Sequence, residues 1–266
     1  HVLPSMRRAR RFRLELLRRV RNRAQPAWPR YGMDGMTLAV EARGLGKSFG
    51  ATPVLREIDF ALSAGDAAFI VGRNGCGKST MLAILAGLLA PSEGIALILG
   101  EDSRNLPARC RRRIGMLSHQ SMLYPNLTAL ENLAFYAEIY GLDNPGASAR
   151  RWIKQVQLEN YASARAHTFS RGMEQRLAIA RAMIADPDLL LLDEPFAALD
   201  TEGVALAAAL MRSSLDRGCA IIATAHNPPE IEAMHFELLA ISRGRLAPIA
   251  QSESLRQPHL RPILAG

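Results

Sequence analysis

From Thr37 onward, short apolar runs alternate with stretches of helical period. Ala67–Val71, Leu189–Leu192 and Ala220–Thr224 are continuous aliphatic runs of strand length, the pattern of strands buried on both faces. The first runs into a glycine loop, and a helical pattern then covers Ser79–Leu89. Beyond a further strand at Ile114–Ser118, helical patterns cover Leu130–Tyr140, Ala149–Val156 and Glu174–Met183, with no convincing strand before Leu189. Strands alternating with helices predict right-handed βαβ units around a mainly parallel sheet, an α/β fold. An antiparallel β patch is expected near Leu38–Phe60, and a helical subdomain is expected inserted at about 101–185. The expected domain spans 37–246, between a basic extension at 1–35 and a tail at 247–266.

Charge changes the picture only once it is located. The 266 residues carry a net charge of +8. Residues 1–35 hold ten arginines against Glu15 and Asp34, which accounts for all of it, so the remainder is neutral. A pI near 10 is therefore no signature of a nucleic-acid-binding face on the folded part, and no nucleic-acid partner is expected. Within Met6–Arg23, Phe12, Leu14, Leu16, Leu17 and Val20 form an apolar stripe on a basic helix, a pattern that suits a membrane surface. The competing reading is a mis-set translation start, since Met33 and Met36 both precede the domain. Cys76, Cys110 and Cys219 are odd in number and widely spaced, so neither a disulfide framework nor a zinc site follows, and a reducing cytosol fits. The longest apolar stretches, such as Met81–Ala90, reach about half of the ~20 residues that cross a bilayer, so no channel is expected from this chain.

Two motifs carry chemistry. Gly72-Arg73-Asn74-Gly75-Cys76-Gly77-Lys78-Ser79-Thr80 matches the phosphate-binding pattern GxxxxGK[ST] and stands between a strand and a helix, as that loop must. Its glycines let backbone N–H groups approach phosphate oxygens, and the helix N-terminus adds a favourable dipole. Lys78 supplies a point charge for the β- and γ-phosphates, and Ser79 a hydroxyl for Mg²⁺. A turn that merely joins strand to helix has no use for that Lys-Ser pair. About 115 residues later, the strand Leu189–Leu192 delivers Asp193 and Glu194 to its C-terminal end, the sheet edge where ligands bind. Asp193 is expected to hold Mg²⁺, and Glu194 to polarise an attacking water as general base.

Together with Phe169-Ser170-Arg171-Gly172-Met173-Glu174-Gln175-Arg176, Ala198-Leu199-Asp200 and Thr224-Ala225-His226, these motifs resemble the ATP-binding subunit of an ATP-binding-cassette (ABC) transporter, from about Thr37 to Leu246. The resemblance implies an ABC-type P-loop NTPase fold, ATPase activity, and ATP with Mg²⁺ as ligands. It places Phe49 on the adenine ring, and the loop residues Gly72, Asn74, Gly75, Cys76, Gly77, Lys78, Ser79 and Thr80 around the phosphates. Ser170 and Gly172 would cap the γ-phosphate held by a second subunit, Asp200 would cross the dimer interface, and His226 would touch the γ-phosphate. Two departures stand out. The usual Leu-Ser-Gly-Gly-Gln signature is here Phe169-Ser170-Arg171-Gly172-Met173. In the metal-sensing glutamine loop, His119 occupies the usual register and Gln120 follows it; Gln120 is assigned the role for its coordinating amide, with His119 left as the alternative.

The segment Ser118–Leu142 is similar to that of exporter-type cassettes. Its Ser118-His119-Gln120 form, with Leu127-Thr128-Ala129-Leu130-Glu131-Asn132-Leu133 and Phe169–Met173, looks most like the ATPase of the cytochrome c maturation system, the haem exporter. That likeness implies integral-membrane permease subunits as partners, a homodimer in the ATP-bound state, and a peripheral location on the cytoplasmic face of the cell membrane. A drug, lipid or polysaccharide exporter ATPase is the runner-up, and a soluble non-transport ABC ATPase a more remote one.

Overall fold

The computed structural model describes residues 38–226 and 235–249. The arginine-rich 1–35 extension and residues 250–266 of the expected tail lie outside them.

Two sheets frame the fold. The antiparallel one has the order β2-β1-β4-β5, from β1 (Leu38–Phe49), β2 (Thr52–Ser63), β4 (Glu93–Ile98) and β5 (Glu101–Asp102). The second has the order β10-β9-β3-β8-β7-β6. Its strands β3 (Ala67–Val71), β6 (Ile114–Leu117), β7 (Leu189–Leu192), β8 (Ala220–Ala225) and β9 (Glu237–Ser242) are parallel. β10 (Arg245–Pro248) pairs antiparallel at the edge and extends the sheet two residues past Leu246, where the domain was expected to end.

The continuous apolar runs are explained by two cores, one on each face of the parallel sheet. Phe69, Val71, Leu190, Leu192, Ile221 and Ala223 face one, and Ala68, Ile70, Leu189, Leu191, Ala220 and Ile222 the other, in strict period 2. The second core lies between the two sheets and is filled by Met81, Leu82, Ile84 and Leu85 of α1 (Lys78–Leu85). The first is covered by α3 (Ala129–Ile139), α4 (Pro145–Gln155), α5 (Arg171–Met183) and α6 (Thr201–Asp216).

Three expectations are corrected. α1 stops at Leu85 rather than Leu89, because Gly87 turns into the left-handed region at φ +70° and Leu88 N donates back to Ala83 O. α4 begins at Pro145 rather than Ala149: Asn144 caps it by accepting from Ala147 N, and Pro145 is pre-organised for a first helical position. The segment 101–185 is not wholly helical at its start. It opens with β5, the one-turn α2 (Ala108–Arg111) and β6, and β6 belongs to the parallel sheet through its pairing with β7. Among the described residues, no helix is long and apolar enough to cross a membrane.

Candidate functional site

The phosphate loop leaves β3 at Gly72, where only hydrogen fits: a Cβ there would lie 2.7 Å from Cys76 Sγ and 2.8 Å from Ile241 O. Gly77 caps α1 at φ +112°, a conformation that L side chains rarely adopt, and a Cβ would lie 2.7 Å from Leu55 Cδ2 of β2. Among the described residues, Gly77 offers α1 no side-chain cap, so the helix begins with backbone N–H groups available to an anion. Lys78 folds back over the loop, its Nζ donating to Gly72 O at 2.6 Å and Arg73 O at 3.2 Å.

The two motifs meet at Asp193. Ser79 Oγ donates to Asp193 Oδ2 at 2.7 Å, and Thr224 Oγ1 donates to Asp193 Oδ1 at 2.5 Å. Thr224, fully buried on β8, also accepts from Glu194 N at 3.1 Å. Glu194 has φ +52°, an uncommon conformation for a residue other than glycine, and such residues cluster at functional sites. Its Oε1 lies 3.1 Å from His226 Nε2 at the end of β8. Lys78, Ser79, Asp193, Glu194 and His226 thus stand at one sheet edge, directly or through the loop.

The remaining candidates stand one layer out. Gln175 on α5 donates to Glu194 O at 3.3 Å and Pro195 O at 3.0 Å, while a Cβ on Gly172 would come within 3.2 Å of Ala198 O. The start of α5 therefore leans on the loop that carries Glu194. Ser170 caps α5 by accepting from Met173 N at 3.2 Å, and Asp200 caps α6 by accepting from Gly203 N at 2.8 Å. Phe49, at the tip of the β1–β2 hairpin, is 51% exposed, with Lys47 Nζ 5.2 Å from its ring centroid. Gln120 is exposed in the loop after β6, and its backbone O accepts from Ser118 Oγ at 2.7 Å. That loop is tied to the site by Asp193 N, which donates to Leu117 O at 2.8 Å. Thr224 and Gln175 lie within the motifs quoted from the sequence but were given no role there.

For Mg²⁺ the donors fit. Ser79 Oγ and Asp193 Oδ2 are hard oxygens within one hydrogen bond of each other, the few protein ligands a cation needs when phosphates and water complete its shell. No group of three or more His, Cys, Asp or Glu suited to a metal occurs among the described residues, so a site made wholly of protein carboxylates is not on offer there.

Comparison with known proteins gives the same picture. A family model described as ABC transporter matches residues 55–197. This chain is an ABC transporter family member. It is 35% identical over 205 residues to the molybdenum import ATP-binding protein ModC of Mycobacterium tuberculosis, a match covering 73% of this chain and 56% of that one. The chain thus spans little more than half the length of ModC. It is 34% identical over 204 residues to the ABC transporter ATP-binding protein NatA of Bacillus subtilis, covering 76% and 83%. To the Nod factor export ATP-binding protein I of Burkholderia lata it is 35% identical over 208 residues, covering 77% and 68%. An ATP-binding subunit of an ABC transporter superposes with a TM-score of 0.73 at 28% identity, covering 81% of this chain and 91% of that one. A dimeric ATP-binding cassette in a post-hydrolysis state bound to ADP and Pi superposes with a TM-score of 0.70 at 27% identity, covering 78% and 96%. The fold is that of an ABC-type P-loop NTPase.

Proposed function

We propose that this chain is the ATP-binding and ATP-hydrolysing motor of a membrane transporter. The observation that carries the reading is the double hold on Asp193 by Ser79 and Thr224, with the Glu194–His226 pair on the adjoining residue. The loop 72–80 binds the triphosphate through backbone N–H groups and Lys78, and Phe49 stacks on the base. Ser79 and Asp193 would hold Mg²⁺, with Gln120 or His119 of the loop after β6 as the further candidate ligand. When bound, the metal neutralises charge on the β- and γ-phosphate oxygens. Glu194 takes the proton of the attacking water as its oxygen bonds to the γ-phosphorus. The bond from that phosphorus to the β–γ bridging oxygen breaks, and ADP and phosphate leave. His226 holds the Glu194 carboxylate before nucleotide binds, and its N–H would pass to the γ-phosphate when ATP is bound.

A second copy completes the site in this reading. Ser170 and Gly172, at the exposed start of α5, would reach the γ-phosphate bound to the other subunit, with Asp200 at the interface. The dimeric ADP-bound neighbour supports this. Integral-membrane permease subunits are the other partners, and the exposed Tyr124 and Phe135, whose rings meet edge to face at 4.9 Å, offer apolar surface for one of their cytoplasmic segments. The chain then works peripherally at the cytoplasmic membrane face. Export is supported by the Ser118–Leu142 segment and by the likeness to the Nod factor export protein, whereas the likeness to ModC supports transport in the other direction. The haem-exporter reading rests on Ser118-His119-Gln120, Leu127–Leu133 and Phe169–Met173. Small membrane subunits and cytochrome c assembly factors encoded beside this gene would favour it, and a single six-span permease would favour the drug, lipid or polysaccharide alternative.

The direct test is phosphate release from the purified full chain with ATP, with and without Mg²⁺. Magnesium-dependent release that disappears in Lys78→Ala, together with weakened nucleotide binding, is expected. Release indifferent to Mg²⁺ or to Lys78 would overturn the assignment.

A further inference from the structure

The chemistry above leaves one buried cation unused. Arg181, in the last turn of α5, is 4% exposed. Its Nη2 donates to Met116 O at 2.8 Å on β6, while its buried Nε has no hydrogen-bond partner among the described residues. Its guanidinium carbon lies 5.4 Å from the ring centroid of Tyr136 on α3. Among the described residues, the titratable groups that act on it are the phenols of Tyr136 and Tyr140, and no carboxylate is one of them. Burial pushes its pKa down. A desolvated guanidinium with a vacant donor and no counter-ion is costly compared with an apolar side chain of similar length. What it supplies is a planar donor that stacks on a ring while reaching a carbonyl.

Tyr136 does a matching task at the other end. Its hydroxyl donates to Met122 O, and burial raises its pKa, so it stays a protonated donor. Met122 has φ +54°, a conformation that needs support in a residue with a side chain. Between Met116 and Met122 lie His119 and Gln120. Ser121 Oγ adds a third tie, to Glu174 Oε1 on α5 at 2.6 Å.

We propose that Arg181 and Tyr136 are positioning residues, a stacked pair that pins both ends of the 116–122 segment and so sets where His119 and Gln120 stand relative to Asp193. This rests on the ATPase reading only for its consequence at the metal, since the clamp itself is a property of the chain without nucleotide.

Hydrogen exchange on the full-length chain tests it. Tyr136→Phe keeps the ring and removes only the hydroxyl, while Arg181→Met keeps length and removes the cation. In both, amides of 118–123 should exchange about tenfold faster, the scale of one lost hydrogen bond, with β7 and β8 unchanged. The melting temperature of Arg181→Met should not fall, because a buried charge has been replaced by apolar volume. Both variants should need several-fold more Mg²⁺ for half-maximal ATPase, with metal-free nucleotide affinity unchanged. Unchanged exchange at 118–123 in Tyr136→Phe overturns the clamp, even where Arg181→Met fails to fold. Faster exchange throughout the sheet with a lower melting temperature overturns it too, by showing a packing role. Local loosening without a change in Mg²⁺ requirement overturns the link to the nucleotide site. An inactive wild type would count against the ATPase reading, while the exchange data would still decide the clamp.

Discussion

Thr224 and Asp193 are 31 residues apart in sequence and end neighbouring parallel strands, and the threonine hydroxyl donates to the carboxylate at 2.5 Å. Because Thr224 is fully buried and also receives Glu194 N, one side chain aligns both acidic residues of the site. Thr224→Val keeps the shape and removes the hydroxyl. It should cost about 1–3 kcal/mol, the range for leaving buried partners unsatisfied, and lower Mg²⁺-dependent turnover more than nucleotide binding. Thr224→Ser should restore both. Denaturant titration with parallel turnover assays reads this directly, and a valine variant as active and as stable as wild type would remove Thr224 from the site.

Gly77→Ala tests the loop. The positive φ makes any side chain strained by about 1–3 kcal/mol, and the new methyl must displace Leu55. Nucleotide affinity should fall at least tenfold, measured by fluorescent-nucleotide titration, while the circular dichroism of the sheet persists. Unaltered affinity would mean that the loop can move without consequence for phosphate binding.

The site was largely legible because its residues close strands whose apolar runs are unmistakable. Asp193 follows Leu189–Leu192, and the glycine loop follows Ala67–Val71. Thr224 and Gln175 were not, since their partners lie across a sheet pairing or a helix contact that no local pattern encodes. Arg181 shows the same limit in part: every other residue from Leu177 to Ala185 is apolar, so its burial was readable, but its partners, Met116 on β6 and Tyr136 on α3, come only with the fold. The extra first turn of α4 was readable in principle, from Asn144-Pro145, whereas the place of β6 in the sheet depends on a strand 75 residues further on.

Glu237, at the start of β9, gives a pH prediction. Burial, and then the nearby Asp66 charge, raise its pKa above the ordinary 4.5. Between that value and the raised one the folded chain binds more protons than the unfolded one, so this residue's contribution to stability falls as pH rises through the window. Glu237→Gln should therefore raise the melting temperature at neutral pH and make little difference at pH 4. A melting temperature lowered equally at both pH values would show that the carboxylate is needed for packing instead.

The ABC ATPase account depends most on Glu194, whose carboxylate stands 3.1 Å from His226 beside the doubly held Asp193. Single-turnover and steady-state ATP hydrolysis by Glu194→Gln, measured with ATP affinity on the same preparation, is the most direct test. Nucleotide affinity should be preserved and turnover should fall by a factor of about 10²–10⁴, the range for loss of a general base. Turnover within a few-fold of wild type at preserved affinity would contradict the account.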